Sequence, residues 1–436
     1  MPRKSMKTIG ILAVFVFASA AAAAPPPGGA ALTGEYPNLF KTYLGKTDAE
    51  IEEKVEAAFD QLFYGDPFTE RVYYTASEDT AYLADVGSRD VRSEGISYGM
   101  MITVQMDRQQ EFNALWKWAK THMQYSEGPL RGYFAWHRDY DGDMTRSDGS
   151  EIRGAGPAPD GENWMVMALF FASHRWGDGE GIFNYGQEAQ DLLRMMIHKD
   201  DEPDRGDIVS MFHPEEKQIR FTPDGQQGPN FTDPSYHTPH FTELMARWAE
   251  DPADRAFLAE VTQTSRQLFR DAAHPETGIM ANYTEFDGTP LVRWGRAFDA
   301  DAWRTLGWPA MDWSWWGEDE WMVEQSNRIL QFYTVQPVDD WPVSMELDGT
   351  VKRRGGWAHG LSGMAATAAL AADPELGKPM IERLWNLELP NDVGRDTDGL
   401  VAEGELRSHR YYSGLLMMFG LLHASGNFQI YGPVEP

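Results

Sequence analysis

Apolar residues recur every three or four positions through most of the chain, a spacing that predicts helices rather than strands. Residues 48–63 place Ile51, Val55, Phe59 and Leu62 on one face, and residues 109–123 do the same with Phe112, Leu115, Trp116 and Ala119. Residues 162–176 are apolar nearly all round, the pattern of a helix buried on every side. Further helical segments are predicted over 184–198, 239–250, 252–273, 301–308, 321–333, 360–372, 376–387 and 411–424, with Gly, Pro, Asp and Asn clusters between them. Alternating runs are few; residues 71–74 and 217–221 are the best. Fully apolar helices interleaved with amphipathic ones suit a closed ring of helix pairs, inner helices surrounded by outer ones. The absence of an exact repeat argues against an open solenoid. In such a ring the loops at one end, where inner helices start, carry the site.

The 436 residues suffice for a large core. A net charge of -29, from 67 acidic and 38 basic residues, sets the chain against nucleic acid and anionic membrane surfaces and leaves a neutral substrate compatible. The same acidity also serves plain solubility. Most of the 16 Trp and 17 Tyr belong to the core, and stacking on sugar faces is a further use for some of them. There is no Cys, which excludes disulfides, thiol nucleophiles and Cys-ligated metals. The basic residues 1–7, the apolar residues 8–20 and the small residues up to 24 read as a signal peptide. An exported protein is expected, periplasmic or extracellular; the alternative is an uncleaved signal anchor. A Pro/Gly/Ala-rich linker over 25–35 then leads into a single domain over 36–436. Oligomeric state is left open.

Candidate chemistry begins with Ser-Glu-Gly-Ile-Ser-Tyr-Gly at residues 93–99, ahead of Met100 and Met101, which sets Glu94 before an apolar helix-like stretch. Gly-Pro-Ala-Pro-Asp-Gly-Glu at 156–162 sets Asp160 at the start of another. Two carboxyl groups delivered at helix starts suit glycosidic hydrolysis, in which an acid protonates the leaving oxygen and a carboxylate activates water. The plainer readings are a dipole-stabilised Glu in a first turn and an Asp helix cap. The runs SEGISYGMM, GYFAW (132–136), GPAPDGE, LFFASHRWGDG (169–179), FTDPSYHTPHFTEL (231–244) and SGNFQIYGP resemble glycoside hydrolase family 8, in particular its branch of reducing-end xylose-releasing exo-oligoxylanases. The similarity runs from about residue 35 to the end. It implies an all-α (α/α)6 barrel of six inner and six outer helices. It also implies inverting hydrolysis without metal or other cofactor, and release of xylose from the reducing end of β-1,4-xylo-oligosaccharides. Endo-acting xylanases, β-1,4-glucanases and chitosanases of the same fold are the alternative, and a non-catalytic carbohydrate-binding protein is a third.

The resemblance implies residue roles as well. Glu94 matches the general acid; a carboxyl beside Tyr98 and an apolar helix is expected to hold its proton to higher pH. Asp301, in Asp-Ala-Trp-Arg where the family has Asp-Ser-Tyr-Arg, matches the base, with Asp299 as competitor. Asp160 matches the acidic residue that binds the sugar at the cleavage point; Pro159 before it agrees with the exo-oligoxylanase branch. Tyr236 matches a tyrosine that holds the attacking water, against the plainer reading of a buried Tyr. Trp136 is a stacking platform or core. Arg304 pairs with Asp301 or binds substrate. His359, in Trp357-Ala358-His359-Gly360 where the family has His-Pro, matches the histidine of a loop that closes the cleft beyond one reducing-end sugar; a structural His is the alternative. The acidic insertion 138–151, with Asp139, Asp141 and Asp143, resembles a Ca²⁺ loop in spacing. Met144 and Ser150 stand where that loop needs Gly and Glu, which favours a solvated loop.

Overall fold

The structure, a computed structural model, describes residues 24–434 apart from 146–149, 152–155, 226–227, 229, 293–296, 338–339, 356–357 and 393–409. The expected signal segment up to residue 23, Trp357 and part of the acidic insertion therefore lie outside the described residues.

Two short helices, α1 (Ala30–Thr33) and α2 (Leu39–Leu44), precede the main body. The helices that follow are α3 (Asp48–Tyr64), α4 (Ser93–Gln105), α5 (Gln109–His122), α6 (Pro159–Trp176), α7 (Tyr185–His198), α8 (Pro239–Trp248), α9 (Pro252–Ala272), α10 (Trp308–Trp316), α11 (Trp321–Thr334), α12 (His359–Ala368), α13 (Pro374–Asn386) and α14 (Tyr412–Ala424). They form an (α/α)6 barrel. The even-numbered helices α4 to α14 make the inner ring; α4, α6, α10, α12 and α14 are buried along most of their length, while α8 leaves Glu243 and its last turn partly exposed. The odd-numbered helices α3 to α13 each bury one stripe, as Ile51, Val55, Phe59 and Leu62 of α3 do, and pack outside the ring; α3 closes it by packing on α14. This is the division that the two hydrophobic patterns predict.

Segment 301–308 departs from expectation. It is a 3-10 helix, Ala300–Leu306, and α10 follows as a separate inner helix. The run Trp-Pro-Ala-Met-Asp-Trp-Ser-Trp-Trp has no polar face and carries a proline at its second position, so it gives no amphipathic signal. Pro309 is tolerated because it sits in the first turn, where its missing N–H has no partner to lose. Pro159 likewise lets α6 start three residues before the predicted 162.

Strands are short and local. An antiparallel sheet, β1 (Tyr73–Thr75), β2 (Ala81–Asp85), β3 (Asp90–Arg92) and β4 (His137–Arg138), leads directly into α4; two hairpins, β5 (Phe212–His213) with β6 (Gln218–Ile219) and β7 (Trp341–Met345) with β8 (Val351–Gly355), lie in other loops. The runs at 71–74 and 217–221 coincide with β1 and β6. The remaining strands are too brief to show an alternation of their own.

The ring is filled, not hollow. Trp164 of α6 meets Tyr98 of α4 (ring centroids 4.9 Å), Phe241 of α8 (4.8 Å), Trp308 of α10 (5.6 Å) and Phe419 of α14 (5.0 Å). Five inner helices thus share one aromatic plug, mostly in edge-on or tilted contact, the arrangement the ring quadrupole favours. α12 and α14 approach most closely at two glycines: a Cβ on Gly363 would stand 2.4 Å from the Leu416 carbonyl oxygen, and one on Gly420 2.6 Å from the Gly363 Cα. Because backbone blocks the methyl, Gly363→Ala must spread the two helices. A loss of about 1–3 kcal/mol is expected in urea unfolding, the usual cost of overpacking a tight core.

Candidate active site

The end of the barrel at which the inner helices start brings together polar side chains from several of them. Glu94 lies in the first turn of α4 and Asp160 in the first turn of α6. Those two helix starts touch: a Cβ on Gly161 would meet the Ser93 Oγ at 2.5 Å. Gly95 has a parallel function, since a Cβ there would strike the Tyr411 ring at 2.6 Å. The space so left lets the Tyr411 hydroxyl, just ahead of α14, donate to Glu94 Oε1 at 3.1 Å.

Arg304, in the 3-10 helix before α10, joins these elements. It is 2% exposed. Its Nη1 donates to Asp160 Oδ2 (2.9 Å), Tyr98 Oη (3.0 Å) and Glu94 Oε2 (3.3 Å), and its Nε donates to the Asp301 main-chain carbonyl (3.1 Å). Its guanidinium stands over the Tyr236 ring at 5.5 Å. The expected side-chain pairing of Arg304 with Asp301 is thus replaced by a bond to the Asp301 backbone. The reason is distribution of charge: the guanidinium turns to Asp160 and Glu94, two carboxyl groups that approach each other at the helix starts.

Asp301 finds other partners. Its Oδ2 accepts from the Tyr283 hydroxyl (3.1 Å) and the Asn282 amide (3.3 Å). The competitor Asp299 is occupied elsewhere: its Oδ1 caps the 3-10 helix at the Ala300 N–H (2.9 Å) and pairs with Arg353 of β8 (2.9 Å). The hairpin of β7 and β8 further fixes this segment through a Trp303 indole bond to the Val343 carbonyl (3.0 Å) and paired backbone bonds between Phe298 and Met345.

Burial sets the proton affinities. It raises the Glu94 carboxyl to about 7, Arg304 acting against the rise and the Asp160 charge adding to it. It also raises Asp160, with Arg304 again opposing. Asp233, just before α8, is pushed up to about 8 by burial, and Glu162, two residues after Asp160, likewise to about 8. Desolvation therefore outweighs the Arg304 guanidinium at each of the three carboxyls that face it, Glu94, Asp160 and Asp233, and at Glu94 the more weakly acting Arg92 as well.

The remaining expected residues are distributed around this centre. Tyr236 is buried, its ring stacked with Phe221 (5.7 Å). Trp136 lies half-buried, stacked on His137 at 3.6 Å with the Arg92 guanidinium 5.5 Å from its ring. Its carbonyl accepts the Ser93 N–H at 2.9 Å, which places it beside Glu94. His359 opens α12, next to the α14 start: a Cβ on Gly360 would meet the Ser413 Cα at 3.0 Å. In the acidic insertion, Asp139 Oδ1 accepts the N–H groups of Asp141 (3.0 Å) and Asp143 (2.8 Å), so this carboxylate closes its own turn. Among the described residues no group of three acidic or histidine side chains is arranged to hold a metal. Sequence reasoning missed Asn282, Tyr283, Tyr411 and Asp233. Asp233 stood in the quoted run FTDPSYH; the other three lie in segments without a recognisable motif.

The geometry is that of a buried carboxyl cluster at the inner-helix starts of an (α/α)6 barrel, and comparison with known proteins gives it a family. The model of glycosyl hydrolases family 8 matches residues 82–426. The chain belongs to that family. It is 40% identical over 403 residues to the reducing-end xylose-releasing exo-oligoxylanase Rex8A of Paenibacillus barcinonensis, covering 92% of this chain and 97% of Rex8A. It is 39% identical to the reducing end xylose-releasing exo-oligoxylanase of Halalkalibacterium halodurans, over 93% of this chain and 96% of that one. The Rex8A structure complexed with xylose superposes with a TM-score of 0.82, covering 93% of this chain and all of that one at 38% identity. A family 8 xylobiose complex from Teredinibacter turnerae gives 0.82 at 42% identity, covering 92% of this chain and all of that one.

Within this family 8 site, Glu162 shows what burial does with no cation among the described residues beside the carboxyl to oppose it, the Asp160 charge adding a smaller rise. Its Oε1 accepts the Phe134 N–H at 2.9 Å, two residues from Trp136, and its carboxyl keeps its proton to about pH 8. The folded chain then holds protons that the unfolded chain has released above the ordinary carboxylate range. Stability is greatest below about 4.5 on this account and falls as pH rises through about 8. In melts across that window, Glu162→Gln is expected to flatten the decline measurably, because its amide has no proton to lose.

Proposed function

We propose that this chain is an inverting exo-oligoxylanase, which removes single xylose units from the reducing end of β-1,4-xylo-oligosaccharides. The observation that carries the proposal is the contrast between two carboxyl groups around Arg304. Glu94 is half-buried and, by desolvation, keeps its proton to about pH 7, as a general acid must. Asp301 is held in place by two donors, Tyr283 and Asn282, both at its Oδ2. The exo character rests on similarity along nearly the whole chain to exo-oligoxylanases, and the order of basic, apolar and small residues at 1–24 supports action outside the cytoplasm.

Hydrolysis then proceeds in one displacement. Glu94 gives its proton to the glycosidic oxygen as the bond from that oxygen to the anomeric carbon breaks. Water attacks the same carbon from the opposite face and loses a proton to Asp301, so the β-linkage yields an α-hemiacetal. Asp160, kept in place by Arg304, hydrogen-bonds the sugar whose anomeric carbon reacts. Tyr236 steadies the water, Trp136 offers a flat face to a sugar ring, and His359 closes the cleft beyond the departing xylose.

Xylotriose labelled at its reducing end is the test. Labelled xylose and unlabelled xylobiose, first formed as the α anomer, are expected; cleavage of polymeric xylan, glucan or chitosan with xylotriose left intact would overturn the exo reading. Glu94→Gln should lower kcat by about 10²–10⁴-fold, the usual worth of a general acid, and activity of the unaltered enzyme should fall as pH rises through about 7, where Glu94 loses its proton.

A further inference from the structure

The turn that leads into α8 carries a carboxyl group to which the hydrolysis above gives no task. Asp233 is 0% exposed. Its Oδ1 accepts the Ser235 N–H at 2.7 Å and so caps the 3-10 turn Pro234–Tyr236. Its Oδ2 is enclosed, and no hydrogen-bond donor reaches it among the described residues. The cation facing that oxygen is Arg304, whose Nη2 stands 3.8 Å away, beyond hydrogen-bond distance. The other titratable groups acting on Asp233 are Asp301 from the 3-10 helix before α10 and Tyr236 from its own turn, which itself feels Asp160 of α6.

This arrangement does not suit a carboxylate. A buried anion with one oxygen bare is among the most costly groups a protein can hold, and it lowers that cost by capturing a donor. The donor at hand is Arg304 Nη2, and a small swing of the guanidinium would close the gap. The same swing would draw Nη1 from Asp160 and Glu94. Arg304 instead stays with those two carboxyls and leaves Asp233 at arm's length, as it would with a neutral neighbour. Desolvation acts in the same direction.

We infer that Asp233 is a positioning residue of the hydrolytic site that works as a neutral carboxylic acid, fixing the turn that bears Tyr236 while leaving Arg304 to Asp160 and Glu94. Its effect on turnover rests on the hydrolase reading above; its charge state does not. Tyr236 depends on it through the capped turn, and the Tyr236 ring in turn lies under the Arg304 guanidinium.

Two variants and one spectrum test this. Asp233→Ala removes the cap, and kcat on xylotriose should fall at least about tenfold while KM changes less than about threefold. Asp233→Asn keeps an oxygen for the Ser235 N–H and resembles the neutral acid, so it should recover most of that loss. The infrared difference between the unaltered enzyme and Asp233→Asn should show the carbonyl stretch of a protonated carboxyl at neutral pH, giving way to carboxylate bands above about pH 8. The inference is overturned if Asn is as poor as Ala, if Ala keeps full turnover, or if the spectrum shows only carboxylate at neutral pH. Should Asp233→Ala not fold, the Asn variant and the spectrum still decide. If the unaltered enzyme leaves xylotriose intact, the exo-oligoxylanase reading fails, and the infrared comparison still reports whether Asp233 carries its proton.

Discussion

A single guanidinium serves a cluster of carboxyl groups near the inner-helix starts, and the arrangement of the site follows from that shortage of positive charge. Arg304 bonds the side chains of Asp160 and Glu94, holds Asp301 through its carbonyl and faces Asp233 without bonding it. Its one charge does not offset the cost of taking these carboxyl groups out of water. Burial, with neighbouring carboxyl charge adding to it, raises the proton affinities of Glu94, Asp160 and Asp233. That Glu94 keeps its proton to about pH 7 is therefore a consequence first of burial and then of the carboxyl charge beside it, against the pull of Arg304.

The barrel makes that crowding possible. Backbone approach at Gly161 sets the starts of α4 and α6 against each other, and Gly95 admits Tyr411 to the far side of Glu94. Beneath them the aromatic plug centred on Trp164 reaches Tyr98, whose hydroxyl accepts from Arg304. The plug excludes water, and in its absence the carboxyls would be solvated and would titrate as ordinary surface acids. The side chains that hold Asp301 come instead from the irregular segment around Asn282 and Tyr283, while the hairpin of β7 and β8 fixes the backbone on which Asp301 sits. Glu94 and Asp301 thus rest on different supports: the first on ring helices, the second on loops that the ring carries.

Legibility in the sequence tracked how local each signal is. The outer helices announce themselves by an apolar stripe, and α3, α5, α7 and α9 lie where their stripes predict. The inner helix α10 does not, because a segment apolar all round with a proline near its start has no period to read. Glu94 and Asp160 stand in compact motifs at helix starts, so both could be singled out. Asn282, Tyr283 and Tyr411 could not. Each meets its carboxyl across a gap in sequence, Tyr411 across more than three hundred positions, and nothing local marks them. Arg304 could be named but not aimed. The sequence left it between pairing with Asp301 and binding substrate, whereas the folded site turns its side chain to Asp160 and Glu94.

By itself the sequence determined the helical class, the interleaving of fully buried with amphipathic helices, the carboxyl-bearing motifs and the family they resemble. These properties are written in periodicity and short runs, which survive without knowledge of neighbours. Only the tertiary structure decided which carboxyls share Arg304, which tyrosines reach them and which of them keep a proton. Those properties depend on desolvation and on distances between segments far apart in the chain, and both arise only when the ring closes.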